Sequence, residues 1–275
     1  MNDDLFWILN AQPLMNDKSP CTDSATEWLN KLYEEIDPDI LQNTYKPLRL
    51  NPRLGIYYED MVNTIINSSP YLHNLKRNIQ VNTNGVTLGE FDFLGTANGH
   101  NGEYDFHLEC AVKFYICTGE GTKLSDFVGP NKRDRLDIKY QKMLTKQLTL
   151  SQEPAGQSLC AELGLCPTRF MMLLQGYLFY HFKKERPVIG MHADINPNHN
   201  QGWWLYENEM MALGGQYAYQ VLSKPSWLAI KKSKIFSLSE LQLHITSMSH
   251  PALIARLNGE TLHEIDRGFV MPIGW

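Results

Sequence analysis

Two strand-like, apolar segments carry acids and an amine. In "YDFHLECAVKFYICT", Glu109 and Lys113 interrupt a run that otherwise reads as core, and "GEFDFL" just before it carries Glu90 and Asp92. Side chains alternate along a strand. Leu108, Cys110, Val112, Phe114 and Ile116 therefore share one apolar face, and His107, Glu109, Ala111, Lys113 and Tyr115 share the other. In the earlier segment Glu90 and Asp92 fall on one face, with Phe91 and Phe93 opposite. A hairpin with its polar faces in register would gather Glu90, Asp92, Glu109 and Lys113 into one patch. Burying a lone charge is costly, so a buried patch of this kind is paired with itself, a metal or a ligand. Carboxylates beside an amine suit Mg²⁺ (or Mn²⁺), a hard cation that takes oxygen ligands and acidifies a bound water. The amine would position that water or stabilise charge developing on a phosphate. A solvated sheet face decorated with Glu and Lys gives the same alternation.

The elements that must hold this patch are legible around it. Leu54, Tyr57, Tyr58, Met61, Val62, Ile65 and Ile66 recur with helical spacing, which predicts an amphipathic helix. At about 100° per residue Glu59 lies on the flank of its apolar stripe. Three strands follow, "RNIQVNT", "VTLGEFDFLGT" and "YDFHLECAVKFYICT", separated by Asn84-Gly85 and by the Ala97–Gly102 turn, and they read as an antiparallel meander. A helix from about Lys132 to Leu148 carries Lys132, Arg135, Lys139, Lys142 and Lys146 as one basic stripe, with Leu136, Tyr140, Met143 and Leu144 on a packing side. Such a stripe suits contact with a phosphate backbone, or it is a solvated face partly offset by Asp134 and Asp137. Downstream come strand-like "RFMMLLQGYLFYHF", "GWWLYE" and "QYAYQVLS", a helix near Ser237–Ser249, and "EIDRGFVMPIGW". This order predicts an α+β or mixed α/β core. Residues 1–50 read as an acidic helical leader, with short helices at Leu5–Leu9 and Ser24–Glu35 broken by Pro20 and Pro38. Residues 51–275 read as one compact unit.

The net charge of −5 argues against a chain coated in positive charge. Cys21, Cys110, Cys117, Cys160 and Cys166 are odd in number and scattered, as expected of free thiols in a cytoplasmic protein. No segment is long and apolar enough to expect a membrane span. His192, Asp194 and His199 lack further ligands at zinc spacing. No Walker or dinucleotide loop and no G-x-S-x-G elbow occurs. Trp203, Trp204 and Trp227 are either core or base-stacking residues.

The motifs "LGIYYE", "GEFDFL", "HLECAVKFY", "GPNKRDRLDIKY" and "GWWLY" resemble an uncharacterised bacterial family, the domain of unknown function 1853, itself similar to the PD-(D/E)XK nuclease superfamily. The resemblance covers roughly residues 54–275. It implies a restriction-endonuclease-like α/β fold, a mixed sheet flanked by helices with extra C-terminal strands. It further implies a metal-dependent nuclease that hydrolyses phosphodiester bonds of nucleic acid, DNA above all. Residue by residue, Asp92 matches the metal-binding acid of the first strand motif, Lys113 the motif lysine, and Glu59 the helix glutamate that completes the metal site. Gln141 resembles a helix glutamine of some of these nucleases. The second acid departs from the pattern, because Ala111 stands two residues before the lysine. Glu109 is on the same face one pleat away, about 7 Å along the strand. Three outcomes stay open: Glu109 reaches the metal, Glu59 or Glu90 substitutes, or the chain is a non-catalytic relative that binds nucleic acid or a protein partner.

Overall fold

The computed structural model describes residues 2–16, 24–44, 53–99, 102–183, 190–246 and 248–275; Pro20, Cys21, His100 and Asn101 lie outside them. Helices α1 (Asp3–Asn10), α2 (Ala25–Glu34), α3 (Pro38–Thr44) and α4 (Leu54–Ser68) precede strands β1 (Leu72–Thr83), β2 (Val86–Gly99), β3 (Gly102–Cys117) and β4 (Phe127–Val128). Then come α5 (Leu136–Lys142), α6 (Pro154–Glu162), β5 (Arg169–His181), β6 (Gln201–Tyr206), β7 (Ala218–Val221), β8 (Ile235–Phe236), α7 (Leu238–Ile245), β9 (Ala252–Leu257) and β10 (Glu264–Met271).

The strands form a ten-stranded mixed sheet in the order β1-β2-β3-β5-β6-β10-β9-β7-β8, with β4 paired to the end of β3. β1, β2 and β3 are the antiparallel meander expected from the turns. From β3 outward the pairing becomes parallel, β3 to β5, β5 to β6 and β6 to β10. The C-terminal strands β7 to β10 extend the sheet.

Helices cover both faces, as buried parallel strands require. Leu108, Cys110, Val112, Phe114 and Ile116 pack with Tyr57, Tyr58, Met61, Val62 and Ile65 of α4. Ala111, Tyr115 and Cys117 pack on the other face with Leu136, Tyr140 and Met143. The alternation along β3 thus assigns its faces correctly. That of β2 does not, because Phe93 joins the α4 core while Phe91 joins Leu150, Cys160 and Leu165 near α6. Opposite this break Asn78 adopts φ +54°, while the β1–β2 register holds from Lys76 to Val81 and shifts only on either side of that stretch.

The N-terminal segment is built into the sheet. Leu5, Ile8 and Leu9 of α1 lie in the α4 core, whereas Leu14 and Met15 lie in the α5 core. Pro13 bridges Gln175 of β5 on the way. Buried Gln175 donates to the carbonyls of Ile8 and Ala11 at 2.8 and 2.7 Å and accepts from Tyr58 Oη at 2.7 Å. It therefore satisfies C-terminal carbonyls of α1 that the helix leaves open.

The basic helix begins later than its charges suggest. Lys132 sits in a turn with φ +58°, and α5 starts at Leu136. α5 continues as one π-turn through Met143–Gln147, closed by Leu148 N–H on Met143 O at 2.9 Å. The C-terminal helix likewise ends at Ile245. Among the described residues Cys110, Cys117, Cys160 and Cys166 form no disulfide. Among the described residues no helix is long and apolar enough to cross a membrane.

Candidate functional site

One edge of β3 changes partner part-way along. It pairs with β2 up to Leu108, opposite Phe93, and with β4 only from Ile116, opposite Val128. β2 meanwhile stays on β1, with Phe91 opposite Ile79. The two strands fork between Asp92 and Glu109, and the amides exposed by the fork need acceptors. The acids supply them: Cys110 N–H donates to Asp92 Oδ2 at 2.9 Å, and Asp92 N–H donates to Glu109 Oε1 at 3.3 Å. Two carboxyl groups that sequence spacing only placed on facing strands are thus brought together.

Glu109 is fully buried. Its Oε1 also meets His107 Nε2 at 3.0 Å, and its Oε2 accepts from Gln147 Nε2 of the π-turn. Lys139 Nζ in turn donates to Gln147 Oε1 at 3.0 Å. Burial is the main cause that pushes Glu109 up to about 7, opposed by the Asp92 amide, by Lys139 and by Gln147. Burial followed by the charge of Glu109 pushes Asp92 up to about 7 as well. Lys139 is lowered, first by burial and then by the charge of Lys113, while Asp92 and Glu109 act to raise it. Two acids with raised pKa and a half-buried amine therefore share one electrostatic unit, which marks functional-site chemistry more often than a solvated sheet face does.

Lys113 lies four residues beyond Glu109, about 13 Å along the strand. It bonds Asp134 Oδ2 at 2.5 Å, just before α5. Tyr115, next on that face, is fully buried, and burial followed by the charge of Asp134 raises the pKa of its hydroxyl. Glu59 stands on α4, 3.8 Å from Arg77, which also holds Asp60 at 2.7 Å. Burial, then the charge of Asp92, raises Glu59 to about 7 against the pull of Arg77, and Glu90 adds to the rise. Glu59 and Glu90 thus lie in the field of the fork without bonding to it.

The basic stripe divides. Arg135 closes on Asp137 through Nε and Nη2, at 2.6 and 2.9 Å. Lys132 Nζ lies 4.6 Å over the Trp275 ring. Lys142 and Lys146 are exposed, as is Gln141. Lys139 instead turns inward, since it lies only about 60° from the buried Leu136 on the helix wheel. Trp203 and Trp204 are buried, and Trp227 is half-buried. His199 is buried between Tyr180 and Asn196 O, and His192 lies 3.9 Å from Asp194.

Sequence reasoning missed Gln147 and Ser151, and assigned Lys139 to the basic stripe rather than to the acids it stands beside. Only the position of Lys139 at the edge of the helical stripe hinted at it. Ser151 Oγ, His107 and Glu109 stand in line at 3.0 Å each, in the order of a hydrolase triad. All three are buried, and none lines the cleft at Val112–Phe114 or the one at Pro130–Lys132. Burial holds His107 down to about 4, so it is neutral and serves to orient Glu109.

Fold and site together define a mixed α/β protein whose sheet forks at a buried glutamate and a half-buried aspartate. The chain belongs to the family described as a domain of unknown function, DUF1853, whose model matches residues 3–271. No curated protein and no solved structure is significantly similar to it.

Proposed function

We propose that the chain is a metal-dependent phosphodiesterase acting on nucleic acid, DNA in particular. One observation carries this reading: Asp92 and Glu109 meet at the β2–β3 fork, both held near neutrality, with the Lys139 amine one glutamine away. Among the described residues no three His, Cys, Asp or Glu side chains gather at ligand spacing. Two carboxylates would suit Mg²⁺ or Mn²⁺ rather than zinc, because Mg²⁺ keeps several waters and uses one or two carboxylates plus substrate phosphate. Asp92 and Glu109 would hold the ion, with Glu59 close enough to add negative field. When bound, the cation supplies Lewis acidity toward a phosphate and a more acidic water.

The chain's own groups would do the rest. Gln147 and His107 fix the Glu109 carboxylate, and Lys139 counters negative charge beside it. Lys113, paired with Asp134, stands at the far end of the opening, where it would meet a phosphate that displaces the aspartate. Lys142 and Lys146, exposed on the same helix, would contact the backbone.

A second reading is favoured by the reciprocal carboxylate–amide bonds and by Ala111. The acids already satisfy the fork, so a non-catalytic relative could keep them for structure and bind nucleic acid or a protein partner. Cleavage of single- and double-stranded DNA with Mg²⁺ or Mn²⁺ separates the two. Loss of activity in Asp92→Ala and Lys139→Met supports the phosphodiesterase. Equal residual cleavage by wild type and both variants indicates contamination, and DNA binding without cleavage supports the second reading.

A further inference from the structure

A large cleft lies between Val112–Phe114 of β3, the turn at Gly129–Asp134, the 3₁₀ turn Lys224–Trp227 and α7. Its volume is about 900 Å³, within the range of small-molecule sites. Phe114, Leu222, Trp227 and Leu253 form an apolar floor. The rim is cationic although the whole chain carries −5. Asp134 is the one carboxylate among the described lining residues, and Lys113 neutralises it at 2.5 Å. Lys224 and Lys234 make no ion pair among the described residues, and Lys234 Nζ stands 4.7 Å over the Phe236 ring.

An apolar floor under two exposed ammonium groups, neither of them closed into an ion pair among the described residues, matches neither a neutral sugar, which needs polar partners throughout, nor a cation. We propose that this cleft binds a small organic anion, with an apolar ring-bearing body on the Phe114–Trp227 floor and its anionic head at Lys224 and Lys234. The site stands on its own charge and shape, whether or not the chain cleaves phosphodiesters. Burial of the body supplies most of the affinity. The lysines choose the sign of the head and make binding salt-dependent.

The test uses the full chain with two fluorescent probes, anionic 1-anilinonaphthalene-8-sulfonate and neutral N-phenyl-1-naphthylamine. The wild type is expected to bind the anionic probe saturably at one site, more tightly than the neutral one, and more weakly at high salt. Lys224→Glu with Lys234→Glu, both exposed, should weaken the anionic probe about tenfold, roughly the effect of two reversed surface charges. The neutral probe should be unaffected. Ser233→Trp at the rim should obstruct both probes, which locates them in the cleft, with an unchanged circular dichroism spectrum showing that the fold is intact. Equal affinity for the two probes, indifference to the charge reversals, or undiminished binding by Ser233→Trp would each overturn the proposal.

Discussion

Neutralising Asp92 should make the protein more stable above pH 7 and abolish its response to divalent cations. The folded state holds this carboxyl at about 7, against an ordinary 3.8. A raised folded pKa means that the native state binds the proton more tightly than the unfolded chain does. Stability therefore falls as pH rises from about 4 to 7. At 1.36 kcal/mol per unit, ionising Asp92 costs the native state about 4 kcal/mol at pH 8. Asparagine keeps a carbonyl oxygen for the Cys110 amide, but exchanges a charge-assisted bond for a neutral one, a loss of about 1–2 kcal/mol. The net expectation for Asp92→Asn is a gain of about 2 kcal/mol at pH 8. At pH 5 no gain is expected, because the wild-type acid is already protonated there. Urea unfolding at the two pH values measures both numbers. A variant less stable than wild type at pH 8, or shifted equally at both pH values, would refute the view that the fork is an electrostatically strained pair.

Other expectations follow from the same geometry. Mg²⁺ or Mn²⁺ should raise the thermal midpoint of the wild type at pH 8 and not at pH 5, and leave Asp92→Asn unmoved; calorimetric scans decide this. Lys139→Met removes a cation from beside the acids, so it should tighten Mn²⁺ binding several-fold in a titration while reducing cleavage, and Lys113→Met should tighten it less. Gln175→Leu leaves the Ile8 and Ala11 carbonyls and the Tyr58 hydroxyl without their partner, a loss of about 3 kcal/mol or more in denaturant unfolding. Gly176→Ala should fail to give soluble protein, since Gly176 has φ +139° and its Cβ would fall 1.7 Å from Lys113 O.

Much of the fold was local enough to read. The periodicity of α4, the apolar face of β3 and the Asn84-Gly85 turn each depend on residues within a few positions of one another, and the structure keeps all three. The acids of the candidate site were legible for the same reason, since alternation placed Glu109 and Lys113 on the face away from α4. What they contact was not legible. Phe91 and Phe93 share a face by alternation, yet they pack in different cores, on either side of the position opposite Asn78.

The sequence by itself determined that an acid-bearing face would exist on β2 and β3, because side-chain direction along a strand is a matter of backbone geometry alone. Only the tertiary structure decided where β2 and β3 part, since that depends on β1 holding β2 on its far edge while β4 takes the same edge of β3 further along. The fork brings Asp92 to Glu109, packing of Leu136 against β3 turns Lys139 and Gln147 inward, and Asp134 holds Lys113 apart from them.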